Sequence, residues 1–192
     1  MAFAFTSLVA AGSPAPAVRW APPGKYNFTF GNNDPDGLAV DDLKQAVNAA
    51  LSREGRRLSD YRLHTGPQGY RPLREFLVGK LKRDAAIDCA ADDILLLSGS
   101  LQGLDLVNAA LLERGDTVIC ERDNYEGTIN RLARRGIDIV PILLDREGMR
   151  MDALETALAD LKKKDVRPKF IYTIATVQNP TATILSLERR KK

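Results

Sequence analysis

Residues 94–144 read ILLLSGSLQGLDLVNAALLERGDTVICERDNYEGTINRLARRGIDIVPILL, and their alternation decides the fold. Short, nearly all-apolar runs (ILLLSG, TVICE, IDIVPILL) are separated by longer ones, SLQGLDLVNAALLERG and YEGTINRLARRG, with the amphipathic character of helices. Strands that are apolar on both faces need cover on both, and a helix between two of them is the connection that leaves them parallel. Gly115 and Gly136 stand where each helix must stop, since glycine takes the left-handed backbone that ends a helix. Downstream, MDALETALADLKKK continues as a helix with Met151, Leu154, Leu158 and Leu161 in register, and KFIYTIA follows as the next strand. The predicted class is α/β, three-layered, with a mostly parallel sheet and helices on both faces.

Upstream, DDLKQAVNAALSR puts Leu43, Ala46, Val47, Ala50 and Leu51 on one helical face. RPLREFLVGKLKRD does the same with Leu73, Phe76, Leu77 and Leu81, and Pro72 suits a first helical position. Residues 1–36, rich in Ala, Pro and Gly, show no sustained period and read as an irregular arm. No internal repeat is visible.

The 192 residues suffice for one sizeable domain or a domain with an appendage, and 44% hydrophobic with 28% charged residues is an ordinary globular balance. A net charge of +3 is too small to point to nucleic acid. The basic clusters 162–164 and 189–192 read as solvated charge at a helix end and at the chain end. The only cysteines are Cys89 and Cys120. The second lies inside an apolar run and reads as a buried, reduced thiol, which fits a cytoplasmic protein. No apolar stretch reaches the roughly 18 residues of a membrane span. The first 17 residues faintly imitate an export signal, but no basic residue precedes Arg19, so export is not expected.

Ligands of open parallel sheets sit beyond the carboxyl ends of the strands, so the residues after each strand are the candidates. Ser98-Gly99-Ser100-Leu101-Gln102 runs straight into a helix, and the free N–H groups of a helix start favour an anion. It reads as a phosphate cup or, more plainly, as a capping serine after a turn glycine; it is neither GxGxxG nor a Walker loop. Tyr125 follows the TVICE strand and reads either as a ring to stack on a planar ligand or as a packing residue. Gln178-Asn179-Pro180-Thr181 follows the last strand, where Asn179 can donate to a ligand oxygen or simply make a turn. His64 is the only histidine, with no second histidine and no cysteine nearby, so no metal site is expected. No carboxylate pair stands out.

In combination and in order, YRLHTGPQGYRPLREFLVGKL, ILLLSGSLQGLDLV, RGDTVICERDNYEGTINRL, LDREGMRMDALE and FIYTIATVQNPTATILS resemble the fold-type-I pyridoxal-phosphate-dependent aminotransferases of class I/II. The resemblance covers essentially residues 26–188 and is strongest to the branch handling 2-aminoadipate, kynurenine, aromatic or branched-chain amino acids. It implies pyridoxal 5′-phosphate as cofactor, amino-acid and 2-oxo-acid substrates, and a homodimer with shared active sites. It also implies roles residue by residue. Ser100 and the backbone of Leu101 match the phosphate cup. Tyr125 matches the ring stacked on the pyridine, and Asn179 the donor to the cofactor's phenolic oxygen. Tyr61 matches the tyrosine that reaches into the neighbouring subunit's site, and Gly31 lies near a substrate-facing glycine. The implied domains are an N-terminal arm and small-domain segment over 1–36, and the N-terminal part of the cofactor-binding large domain over 37–192.

Three departures matter. Ala182 replaces the glycine of the usual Asn-Pro-Thr-Gly, which strains the backbone by roughly 1–2 kcal/mol if that position takes a positive φ. Ala175 stands where a proline is common. The family's cofactor-anchoring lysine, the aspartate for the pyridine nitrogen and two anion-binding arginines have no counterpart up to residue 192. The expectation is therefore an N-terminal portion of an aminotransferase that does not turn over alone. The alternative is a non-catalytic remnant that acts as a cofactor-binding or dimerisation module.

Overall fold

The computed structural model describes residues 8–10, 13, 22, 24–26, 31, 33–60 and 65–192. It divides into two compact units, Met1–Leu96 and Leu97–Lys192.

In the first unit, Asp34 caps a single 3-10 turn at Pro35–Gly37, its Oδ1 accepting the Asp36 N–H at 3.0 Å. Helix α1 (Val40–Glu54) follows, with Asp41 and Asp42 in its first turn, where the positive end of the helix dipole favours them. The predicted apolar face exists, but Leu43, Val47 and Leu51 are exposed on it. Helix α2 (Arg71–Ala85) has its proline in the first turn, as the sequence suggests, and ends on Ala86 with a left-handed φ of 55°. Arg74 is 1% exposed and ties this helix to its flanking loops. Its guanidinium donates to the carbonyls of Gly69, Ala91 and Thr65 and to Asp92 Oδ1.

The run ILLLSG is predicted as a strand, and here the structure differs. Residues 94–97 are not assigned to any strand; the Leu96 N–H instead donates to the Gln68 carbonyl at 2.9 Å. The run's apolar character is real, but a strand exists only where a partner offers a ladder.

The second unit carries the sheet. Helix α3 (Ser100–Leu111) leads to β1 (Thr117–Glu121), α4 (Glu126–Arg134) and β2 (Asp138–Ile142). A hairpin of β3 (Leu144–Asp145) and β4 (Gly148–Met149) precedes α5 (Met151–Lys163), β5 (Ile171–Tyr172) and the short α6 (Leu187–Arg190). The sheet order is β2-β1-β5, all parallel, with β1 and β2 paired from Thr117↔Asp138 to Glu121↔Ile142 and β1 and β5 at Ile119↔Ile171 and Cys120↔Tyr172.

Strand β1 is buried along its whole length, and its alternating side chains feed two cores. Val118 and Cys120 pack with Leu112, Leu132 and Ile137 on one face. On the other, Ile119 packs with Ile142, Met149 and Leu161. Helix α4 covers the first face through Leu132 and α5 the second through Leu161, so the unit is the expected helix–sheet–helix sandwich. Cys120 is buried as predicted, and burial, helped by the neighbouring Glu121 charge, pushes its thiol up to about 12. Gly136 ends α4 with φ 70°.

Two details correct the sequence reading. The run IDIVPILL is not one strand: β2 stops at Ile142, and Leu144 enters the hairpin, whose turn Asp145 closes by accepting the Glu147 N–H at 2.8 Å. Ser186 stands at the N-cap of α6, a place serine favours, but makes no side-chain cap; its hydroxyl is buried without a hydrogen-bond partner.

Candidate cofactor site at the carboxyl ends of the strands

The start of α3 and the segments after β1 and β5 converge on a cleft of about 650 Å³ lined by Ser98, Gly99, Ser100, Leu101, Tyr125, Tyr172, Ile174 and Asn179. Its volume is that of a small-molecule site. Ser100, Leu101, Tyr125 and Asn179, separated by up to 79 positions in the chain, are brought to one place. Tyr61 and His64 lie outside the described residues. Gly31 is an exposed residue of the first unit, and a Cβ there would meet nothing within 4 Å.

One wall is the start of α3. Gly99 occupies the N-cap position with φ 88° and no side-chain capping bond, so the first-turn N–H groups of the helix have no cap from that residue. Open space surrounds a Cβ built at Gly99; glycine is needed there for its backbone angle, not for room. Gln102 braces the turn from behind, its Oε1 accepting the Ser98 N–H at 2.6 Å.

Tyr125 forms the second wall. It is the N-cap residue of α4, its own N–H held by Asn124 Oδ1 at 2.7 Å, and it is 37% exposed. Its ring lies over Gly127: a Cβ at that glycine would fall 2.5 Å from Cε1 and 2.7 Å from Cζ. Gly127 thus decides where the ring sits, and nothing in the local sequence pattern singles it out. Tyr172 lines the floor, its hydroxyl accepting from the buried Thr128 Oγ1 at 3.1 Å.

The third wall is the loop 176–183. It contains a cis peptide between Asn179 and Pro180, and Val177 and Ala182 flank it at φ 53° and 59°. Below Asn179, Gln178 is 3% exposed. Its Nε2 donates to Glu121 Oε2 and to the Asp123 carbonyl, and its Oε1 accepts from the N–H and the hydroxyl of Thr181. Glu121, 2% exposed at the end of β1, collects the donors of both loops. Neither residue stands out in the sequence: a carboxylate ending a strand and a glutamine beside an asparagine read as loop polarity.

Helix-start N–H groups suit an anionic end, the exposed ring of Tyr125 suits a flat aromatic face, and the amide of Asn179 suits an oxygen on that ring. The donor set fits a phosphorylated planar aromatic molecule.

The architecture is that of an α/β protein with a parallel sheet and helices on both faces. The profile described as aminotransferase class I and II matches residues 26–192, and the chain belongs to that family. The family's cofactor is pyridoxal 5′-phosphate. The chain is 30% identical over 158 residues to aromatic-amino-acid aminotransferase 1 of Thermococcus litoralis, covering 82% of this chain and 37% of that protein. It is 31% identical over 170 residues to 2-aminoadipate transaminase of Thermus thermophilus, covering 88% and 39%. The crystal structure of Pyrococcus horikoshii kynurenine aminotransferase, in complex with PMP, superposes with a TM-score of 0.74 at 30% identity, covering 82% of this chain and 38% of the other. The chain therefore spans under two fifths of the length of these relatives. Among the described residues no helix is long and apolar enough to cross a membrane.

Proposed function

We propose that the chain forms the phosphate-, ring- and phenol-facing walls of a pyridoxal-phosphate-dependent aminotransferase that moves an amino group between an amino acid and a 2-oxo acid. The observation that carries this reading is the meeting of the uncapped start of α3, the Tyr125 ring and Asn179 in one cleft. The N–H groups and hydroxyl at Ser100 and the N–H of Leu101 hold the phosphate, with the helix dipole adding to the attraction. Tyr125 stacks on the ring and keeps water from that face. The Asn179 amide donates to the phenolic oxygen and so steadies charge there. When bound, the cofactor supplies the electron sink for charge that develops at the substrate's α-carbon.

In this reading residues 37–192 belong to the cofactor-binding large domain and residues 1–36 to the arm and small domain. Tyr61 reaches the partner's site in a cytoplasmic homodimer, and Gly31 faces substrate; these assignments rest on the family resemblance. No lysine of the chain matches the family's anchoring lysine, so the 192-residue chain is proposed to bind the cofactor without covalent attachment and without turnover.

The test is titration of the purified chain with pyridoxal 5′-phosphate, read by the circular dichroism induced in the cofactor band. Saturable binding is expected, weakened about tenfold in Asn179→Ala through loss of one hydrogen bond to a charged oxygen. A folded chain with no induced signal at millimolar cofactor overturns the reading. Borohydride reduction followed by peptide mapping checks the attachment, and a labelled lysine would refute that part.

A further inference from the structure

Glu121 is buried to 2% exposure, and its carboxylate is the point where the two loops of the site meet. It accepts from Thr173 Oγ1 at 2.6 Å, the Ile174 N–H at 3.1 Å, Gln178 Nε2 at 3.2 Å and Asn124 Nδ2 at 3.3 Å. All four are neutral donors. One arm of this knot runs through Asn124, whose Oδ1 holds the Tyr125 N–H at 2.7 Å. The other runs through the buried Gln178, the residue before Asn179, which also reaches back to the Asp123 carbonyl at 2.5 Å. The ring wall and the amide wall are thus tied to one acceptor at the end of β1, a strand buried along its whole length.

We propose that Glu121 is the positioning residue of the site: acting through Asn124 and Gln178, it sets the spacing between the Tyr125 ring and the Asn179 amide. The role rests on the reading of those two residues as cofactor walls. An acceptor with several lone pairs suits four converging donors, and no single water has that many acceptor sites. Removal of the carboxylate leaves donors of both loops without partners in a dry place, and the loops are then free to shift independently.

The two variants to compare are Glu121→Ala and Glu121→Gln. In Glu121→Gln the amide oxygen can take the three N–H donors at the Oε2 position, while its NH2 faces the Thr173 hydroxyl, which turns to accept. We expect Glu121→Ala to bind pyridoxal 5′-phosphate about tenfold more weakly and to give, at saturation, an altered induced circular dichroism; Glu121→Gln stays within about threefold of the parent. A core variant of comparable lost stability away from the site, Leu161→Ala on α5, retains the parental signal at saturation. Equal affinity and spectrum in Glu121→Ala overturn the proposal, as does a Glu121→Gln variant as impaired as the alanine.

A second readout needs no cofactor: in NMR spectra of the free chain, the Tyr125 backbone amide and the Asn179 side-chain amide both move in Glu121→Ala, and unmoved signals refute the coupling. If the parent chain binds no pyridoxal 5′-phosphate, the cofactor reading fails, and these two signals still decide whether Glu121 couples the loops.

Discussion

Ala182 and Val177 hold left-handed backbone angles of 59° and 53° on either side of the Asn179 loop, where a Cβ crowds the backbone. Such strain persists only where the surroundings impose it: here the Gln178 N–H is held by the Thr183 carbonyl at 2.8 Å and the Ala182 N–H by the Gln178 carbonyl at 2.6 Å. Replacement Ala182→Gly relieves the angle, and a gain of about 1 kcal/mol is expected in urea unfolding. Opposite this loop, Gly127→Ala places a methyl group where the Tyr125 ring now lies. The ring must turn away, and cofactor affinity is expected to fall about tenfold, with the melting temperature little changed because the site is on the surface. The substitution at Ala182 was legible as a departure from a family pattern. The need for glycine at 127 was not, because it depends on where a neighbouring ring lands.

At the scale of elements, the C-terminal helix is too short to stand by itself and is fastened by side chains. Arg189 donates from both terminal nitrogens to Asp145, at 2.6 and 2.7 Å, and its Nη1 also donates to the carbonyls of Gly148 and Met149. Arg190 donates to the carbonyls of Leu185 and Ala175. The Arg189 guanidinium, aided by the Glu147 N–H, lowers the Asp145 carboxyl from 3.8 to about 2. Because the folded value lies below the ordinary one, this tie is fully present above the ordinary value and is lost as pH falls from there to about 2. The amides of residues 185–190 are therefore expected to titrate together in NMR with a midpoint near 2. In Arg189→Gln the midpoint rises to the ordinary carboxylate range; a parental midpoint already near 4 would count against the tie. Arg189 read as part of a solvated basic cluster because its acceptors lie 40 to 44 positions upstream.

At the scale of the whole molecule, stability is unevenly distributed. Among the described residues, the buried hydrophobic ones, from Leu112 to Leu161, all belong to the second unit, around β1. Truncation of Ile119, fully buried in one of the two cores, to alanine is expected to cost about 2–5 kcal/mol. The same change at Leu43, 52% exposed on α1, stays within about 0.5 kcal/mol. Native-state hydrogen exchange checks the pattern without mutation: the amides of β1 exchange slowest, and those of α1 exchange far faster.

The alternation of apolar runs and amphipathic helices was enough to determine the α/β class, the positions of α1 to α5 and the place of the cleft beyond the strand ends, because periodicity and chain direction are local properties. Only the tertiary structure decided which apolar runs became strands. TVICE found partners on both sides, whereas ILLLSG ended in a hydrogen bond to Gln68 and Leu144 went to a hairpin. It alone also placed Glu121 and Gln178 between the Tyr125 and Asn179 loops. A buried acceptor is recognised by the donors around it, and those lie 3 to 57 positions away in the chain.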